Sequence, residues 1–336
     1  MQETLMLEAA AIELSTYQIQ LKSRFQTALR SIDNFDVFKL RVELSSGKEL
    51  LGEVVATPAI TGITAEVLIR DVNEFVIPLF RNTSLEDPKV FYSSLALALP
   101  HNPTARALGD LTLQSANAPT EDSKIKTDVT IPICEIKSLD RIVEERVLNG
   151  FSAFKIKLGE DSLAHNLEKM KTLADHVPSG SILRVDPNQS WSVDYSLKFL
   201  ESIDLLGIKL QYLEQPVKRD DLGGLSLIRK SSSTEIMADE SCFDLKDLHQ
   251  IIEMKAADWV NIKILKAGGV TPAKEMAEVA LSSGLKLSFG CMIESPLGVR
   301  AAMKLADQFA PEETHDLDAA WWYLQEKLRY EGGVVQ

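Results

Sequence analysis

Apolar and polar residues alternate with a period of two through VFKLRVELSSGKELLGEVVA, Val37 to Ala56, and the alternation is broken only by Ser45-Ser46-Gly47-Lys48. That pattern predicts two strands joined as a hairpin. Helical periodicity follows from about Asn73 to Leu99 and again around Arg106 to Gln114. From Lys126 the register changes to short apolar runs at 128–134, 153–158, 182–186, 210–215, 235–240, 259–264 and 285–290, with an eighth candidate, ETHDLD, ending at Asp318. Amphipathic stretches such as 163–177 and 272–284 lie between them, the latter stopping on Gly284 as helices commonly do.

Short apolar strands that alternate with helices predict parallel pairing through crossover connections. Alternation alone also fits an open doubly wound sheet. A closed barrel fits better, because the chemically distinctive residues fall at the same end of nearly every strand. The expected architecture is α/β: a C-terminal modified (β/α) TIM-type barrel over 126–320, an N-terminal α+β capping domain over 1–125, and a segment 321–336 returning toward the cap.

Composition narrows the function. The 336 residues are 45% hydrophobic and 25% charged, as in an ordinary soluble enzyme. Lysine and arginine number 36 against 49 acidic residues, a net charge of −13, which argues against a binder of nucleic-acid phosphates. Cys134, Cys242 and Cys291 are too few and scattered for a disulfide framework. The start, MQETLMLEAA, has no leader pattern, and no apolar run reaches the roughly 20 residues of a membrane span, so a cytoplasmic protein without membrane partners is expected.

The strand-end positions carry Lys155 and Lys157, Asp186, Glu214, Asp239, Lys263, and Asp316 with Asp318. From Lys157 to Lys263 the spacings are 29, 28, 25 and 24 residues, one βα unit each. Singly, each has a plainer reading: a solvated KxK pair, a helix N-cap, a surface lysine. Jointly they run lysine, three carboxylates, lysine around one mouth. Three hard oxygen ligands suit Mg2+, and no histidine or cysteine joins them to suggest zinc. Lysines on either side suit removal of a proton from carbon next to a carboxylate. One ammonium must first be neutral, and a like charge two residues away lowers a lysine's pKa. Gly268-Gly269 reads as a tight βα turn in preference to a phosphate cradle. His101, His165, His176 and His249 read as solvated or structural, and His315 as facing away from the mouth.

These residues resemble the muconate-lactonizing subgroup of the enolase superfamily. The resemblance rests on Phe154-Lys155-Ile156-Lys157-Leu158-Gly159, Val185-Asp186-Pro187-Asn188-Gln189, Glu214-Gln215-Pro216, Ala238-Asp239-Glu240-Ser241, and Asn261-Ile262-Lys263 with Lys266-Ala267-Gly268-Gly269. Within the subgroup the chain is most similar to dipeptide epimerases of the L-Ala-D/L-Glu type. There, His315-Asp316-Leu317-Asp318 looks like the DxD element whose carboxylates hold the substrate's α-ammonium. Phe25 to Arg30 looks like the cap segment whose arginine meets the glutamyl carboxylate. Residues 58–63, with Ile60-Thr61-Gly62, look like the second cap loop. Cys291-Met292-Ile293-Glu294 looks like the seventh-strand segment along the peptide.

The resemblance implies Mg2+-dependent 1,1-proton transfer at the Cα of a dipeptide's C-terminal residue, in cell-wall peptide recycling, by a homo-oligomer. Lys157 and Lys263 would exchange the proton, and Asp186, Glu214 and Asp239 would bind the metal. Lys155, Asp316, Asp318, Arg30, Thr130, Cys291 and Ile293 would meet the substrate. Two departures touch the cap: a carboxyl terminus expected to lack part of the cap's last strand, and a hairpin return, Leu50 to Val55, less aromatic than usual. Two rivals stand. A lyase or cycloisomerase such as o-succinylbenzoate synthase or muconate cycloisomerase would use the same lysines and metal. A non-catalytic binding barrel would need neither.

Overall fold

The structure is a computed structural model that describes residues 8–28, 30–83, 85–115, 124–325 and 327–336. Leu29 of the Phe25–Arg30 segment and residues 1–7 of the amino terminus lie outside the described residues. The chain opens with a three-stranded antiparallel sheet of β1 (Ala9–Gln26), β2 (Ser31–Leu44) and β3 (Glu49–Val55). The expected hairpin is β2–β3, with Val37 opposite Val55 and Glu43 opposite Glu49. Gly47 turns it at a φ of 81°, in the left-handed region that suits glycine. Leu40, Val42 and Leu44 alternate inward and carry the burial of this sheet.

Helices α1 (Pro58–Thr61), α2 (Ala65–Asp71), α3 (Ile77–Asn82), α4 (Pro88–Ala98) and α5 (Pro103–Gln114) follow, with one π turn at Val72–Val76. The single helical period expected over 73–99 is broken where Asp87 caps α4, its side chain accepting from Lys89 N, and Pro88 takes the first helical position. Helix α5 packs on β3 on one side and on the barrel on the other.

The barrel strands follow β4 (Ile125–Lys126): β5 (Val129–Ile131), β6 (Ala153–Lys157), β7 (Ile182–Asp186), β8 (Tyr212–Glu214), β9 (Glu235–Ala238), β10 (Trp259–Lys263) and β11 (Lys286–Gly290). They hydrogen-bond in sequence order, every pairing parallel. The crossovers are helices α6 (Ile136–Leu148), α7 (Leu163–His176), α8 (Val193–Leu205), α9 (Leu222–Ser231), α10 (Leu245–Met254), α11 (Ile264–Ala267) with α12 (Val270–Ser282), and after β11 α13 (Pro296–Phe309). Nearly every residue of these strands is buried, as expected of a parallel sheet covered by helices.

Two elements differ from the sequence expectation. The eighth strand, ETHDLD, is reduced to isolated bridges of His315 to Thr127 and Asp316 to Gly290. Arg184, fully buried inside the ring, supplements this seam: its guanidinium donates to the Thr314 and His315 carbonyls at 2.6 and 3.3 Å and to Asp128 Oδ2 at 2.6 Å. Strand β1 was absent from the expectation. Most of its residues are exposed, and its pairing with β2 shifts register between Gln20 and Phe25, so the two-residue alternation loses phase.

The segment from 321 touches the cap sheet through a Leu21–Tyr323 bridge and a bond from Leu324 N to Gln20 O. Its last residues then turn back as β12 (Tyr330–Glu331) and β13 (Val334–Val335), and β13 pairs with β4.

Gly52 on β3 lies flat against α5; a Cβ there would stand 2.8 Å from Thr112 N and 2.9 Å from Leu108 O. Gly52→Ala is therefore expected to lower stability by about 1–3 kcal/mol through overpacking, read as a fall in the urea midpoint. An unchanged midpoint would mean that α5 is not held closely on the sheet.

Candidate active site

The helices that follow the acid-bearing strands are capped by other residues. Ser192, Asp221 and Asp244 accept from the first turns of α8, α9 and α10. Asp186, Glu214 and Asp239 at the strand ends are thus free of the capping role that a lone strand-end acid usually has. Because β6 to β10 are neighbours in order, Lys157, Asp186, Glu214, Asp239 and Lys263 form one arc, lysine at each end and carboxylates between.

Within the arc the charges are paired. Lys157 Nζ lies 2.5 Å from Asp186 Oδ2, and Lys263 Nζ 2.9 Å from Asp239 Oδ2. Lys155 Nζ is 2.8 Å from Glu214 and 2.9 Å from Asp316 Oδ2. Asn261 Nδ2 bridges the same two acids at 3.2 and 3.1 Å. Lys266 Nζ donates to Asp239 Oδ1 at 2.5 Å and to Asn261 O at 3.1 Å.

Burial opposes the charge on Lys155, but Asp316, Glu214 and Asp186 outweigh it and hold the ammonium well above its ordinary pKa. Lys263 is raised in the same way, burial being overcome by Asp239 and Asp316. Asp239 and Asp316 are depressed, because the lysines overcome burial. The acids cannot all be compensated. Burial pushes Glu214 up to about 8 and Glu240 up to about 7, with neighbouring carboxylates adding to the rise.

A pocket of charged and apolar side chains lies over the arc at the carboxyl ends of the strands. Lys157, Asp239, Lys263, Asp316 and Asp318 reach it from the barrel, with Thr130, Cys291 and Ile293 beside them and Arg30 and Ile60 from the cap. Lys155, Asp186 and Glu214 are buried outside its lining, with Lys155 only 1% exposed, so Lys155 meets the site through the carboxylates of Glu214 and Asp316. Asp318 Oδ2 accepts from Thr130 N at 2.7 Å and from Trp322 Nε1 at 3.1 Å. Trp322 in turn sets its ring edge-on to Phe25 of the cap, centroids 5.0 Å apart. Burial lowers the Arg30 guanidinium to about 10 against the opposing pull of Glu294. The Cys291 thiol is raised well above its ordinary value by burial and the nearby anions of Asp316 and Glu294, which makes it a neutral wall.

The structure adds Lys266, Asn261, Glu240 and Asn188 to the residues singled out from the sequence. Their signal was position: each lies within three residues of an arc residue in a strand-end motif. Gly268 and Gly269 do not cradle an anion. A Cβ would stand 2.8 Å from Arg106 Nε at Gly268 and 2.6 Å from Asp110 Oδ2 at Gly269. Asp110, reaching over from α5, already accepts from Thr271 N at 2.8 Å and Thr271 Oγ1 at 2.7 Å, filling the place an anion would take at the start of α12.

The donor set fits a hard divalent cation. It is built of carboxylates on neighbouring strands, and buried acceptors at Asn188 Oδ1 and Glu240 Oε2 have no partner among the described residues. Among those residues no three His, Cys, Asp or Glu side chains already enclose a common point, because the lysine ammoniums stand against the carboxylates. Also among them, no helix is long and apolar enough to cross a membrane.

Comparison with known proteins agrees with this geometry. Residues 138–336 match the family described as enolase C-terminal domain-like. The L-amino acid-D/L-Glu epimerase of Sulfurimonas denitrificans is 33% identical over 91% of this chain and 92% of its own. The substrate-liganded L-Ala-D/L-Glu epimerase of Bacillus subtilis superposes with a TM-score of 0.93 at 26% identity, covering 98% of this chain and 96% of that one. A dipeptide epimerase from Enterococcus faecalis, complexed with Mg and L-Leu-L-Tyr, superposes with a TM-score of 0.90 at 26% identity over 99% and 97% of the two chains.

His315, beside Asp316, serves the fold. Its Nδ1 accepts from Phe289 N at 3.0 Å and its Nε2 lies 3.0 Å from Ala310 O, an arrangement only the neutral ring satisfies. Burial lowers its pKa from 6.5 to about 4. The unfolded chain therefore takes up this proton first as pH falls. The His315 contribution is complete above about pH 6.5 and is lost toward pH 4, a change of about 3 kcal/mol. Urea denaturation at pH 7 and pH 4.5 is expected to show a smaller acid loss in His315→Gln than in the wild type; equal losses would place the acid sensitivity elsewhere.

Proposed function

The chain belongs to the enolase C-terminal domain-like family, and on that footing we propose that it is a magnesium-dependent dipeptide epimerase, an isomerase acting on L-Ala-D/L-Glu. The observation that carries this reading is the arc of Lys157, Asp186, Glu214, Asp239 and Lys263, its two lysines reaching one pocket that also holds the Asp316 and Asp318 carboxylates.

Asp186, Glu214 and Asp239 would hold magnesium, which when bound supplies positive charge for the substrate's α-carboxylate and for the negative charge that grows there as the proton leaves. Lys157 and Lys263 work at the Cα of the carboxy-terminal residue. One takes the proton as a neutral amine while the other, as an ammonium, returns a proton to the opposite face. Their roles reverse with the stereoisomer: Lys157 serves as base for the R substrate and Lys263 for the S substrate. Asp186 and Asp239, proposed for the ion, are also the acids that now pair with these lysines, so the same carboxylates govern when either lysine gives up its proton.

Asp316 and Asp318 present carboxylates to the substrate's α-ammonium, a cation that a cycloisomerase or lyase substrate lacks. Lys155 and Asn261 hold Asp316 in place from below. Arg30 meets the glutamyl side chain from the cap, and Thr130, Cys291 and Ile293 wall the path of the peptide. Cytoplasmic recycling of cell-wall peptides is the setting that suits this substrate, and the three cysteines, all free thiols, are compatible with a reducing compartment.

Proton NMR of L-Ala-L-Glu in D2O with enzyme and magnesium tests the reading. Loss of the glutamyl α-proton signal with new diastereomer peaks is expected, and EDTA should abolish both. Silence across a dipeptide library would favour the lyase reading. Lys157→Ala and Lys263→Ala are each expected to cut epimerisation by about a hundredfold to ten-thousandfold, with exchange surviving for one stereoisomer only. Complete loss of exchange with both isomers in both variants would count against two bases. Arg30→Met is expected to raise KM for glutamyl dipeptides with little change in kcat; an unchanged preference for acidic residues would remove Arg30 from the site.

A further inference from the structure

Two acceptor atoms at the pocket have no part in the mechanism above. Glu240 directly follows Asp239 and is 4% exposed; Asn188 lies two residues beyond Asp186 and is 8% exposed; both line the pocket. Asn188 Nδ2 donates to Asp186 Oδ2 and to Glu240 Oε1, each at 3.2 Å. Only the amide nitrogen can donate to two carboxylate oxygens, which fixes the orientation of the amide and leaves its Oδ1 over. Among the described residues neither Asn188 Oδ1 nor Glu240 Oε2 has a hydrogen-bond partner.

Folds rarely leave two buried acceptors unmatched side by side, and a carboxylate oxygen is among the costliest to strand. The backbone is bent to make this arrangement. Asn188 sits at a φ of 46°, in the left-handed region, and its own N–H donates to Asp186 Oδ1 at 2.8 Å. The pair thus hangs on one proposed metal ligand, Asp186, and adjoins another, Asp239. What suits it is a group that brings donor hydrogens and positive charge together.

A magnesium ion held by three carboxylates keeps water in part of its octahedral shell. We infer that Asn188 and Glu240 form an outer ring of acceptors at the divalent-ion site, with Asn188 Oδ1 and Glu240 Oε2 taking hydrogen bonds from the water the ion retains. They are positioning residues, acting through that water and through Asp186. The inference rests on the magnesium reading above and adds two residues to it.

Calorimetric titration of Mg2+ into the purified protein, without substrate, tests it independently of turnover. Glu240→Gln keeps the shape and the bond from Asn188 Nδ2, but places an amide donor where Oε2 was. Its dissociation constant for magnesium is expected to rise about tenfold to a hundredfold, the range typical of outer-sphere partners. The far-UV spectrum should be unchanged and the metal-free Tm should not fall, because the replacement keeps the shape of the side chain. Asn188→Gly keeps the left-handed backbone and the N–H bond to Asp186 while removing the amide, and it too is expected to weaken magnesium.

Wild-type affinity in both variants would overturn the inference and leave the metal reading intact. A wild-type protein that takes up no magnesium, or an Asp239→Asn variant that binds it undiminished, would overturn the metal reading and this inference with it.

Discussion

Too many carboxylates and too many lysines are buried together at one end of a parallel barrel, and much else in the molecule serves to keep that arrangement in register. A buried ion pair gains little net free energy, but a broken one is expensive. Each lysine is therefore fixed by acids from other strands: Lys157 by Asp186 on the next strand, Lys263 by Asp239 at the end of the one before, and Lys155 by Glu214 two strands along and by Asp316 of the closing segment. A one-residue slip of any strand would turn its charged residue to the other face of the sheet. Strand register and the chemistry of the mouth are in that sense one constraint.

The cap and the seam are subordinate to it. The ring closes through two backbone bridges at His315 and Asp316, strengthened by Arg184 from inside. A neutral His315 keeps that closure free of a further charge, accepting from the Phe289 N–H on the adjacent strand. The cap contributes Arg30 and Ile60 to the pocket, and the aromatic contact of Phe25 with Trp322 ties its first loop to the seam's Asp318.

The arc was legible in the sequence because each member sits at the end of an apolar run, one βα unit after the last. Chain order alone therefore carried spatial order. The β2–β3 hairpin was legible for a similar reason, a strict alternation interrupted by a turn with glycine. What escaped was whatever lacked a period. Strand β1 loses phase between Gln20 and Phe25, and the eighth candidate, though visible in the sequence, forms two bridges in place of a strand. Asn261 and Lys266 act through partners more than twenty residues away or through a backbone carbonyl, and Asn188 joins Asp186 to a Glu240 that is equally remote in the chain; no spacing encodes that. The close approach of α5 to Gly268 and Gly269 was hidden too, since a βα turn asks for glycine in any case.

That approach has a consequence for how such a chain diversifies. Asp110 of the cap serves as the N-terminal cap of α12, a barrel helix that has none of its own, and Gly268 and Gly269 make room for α5. The turn they form begins directly beyond α11, within a few residues of Lys263. In the function proposed above, the loops near 25–30 and 58–63 meet the substrate's side chain, and their drift would leave this joint undisturbed. Drift in α5 would not, because that helix is shared property of both domains. On that proposal, inheritance of new specificities would be channelled to the loops, with the proton-transfer chemistry passed on unaltered beneath them.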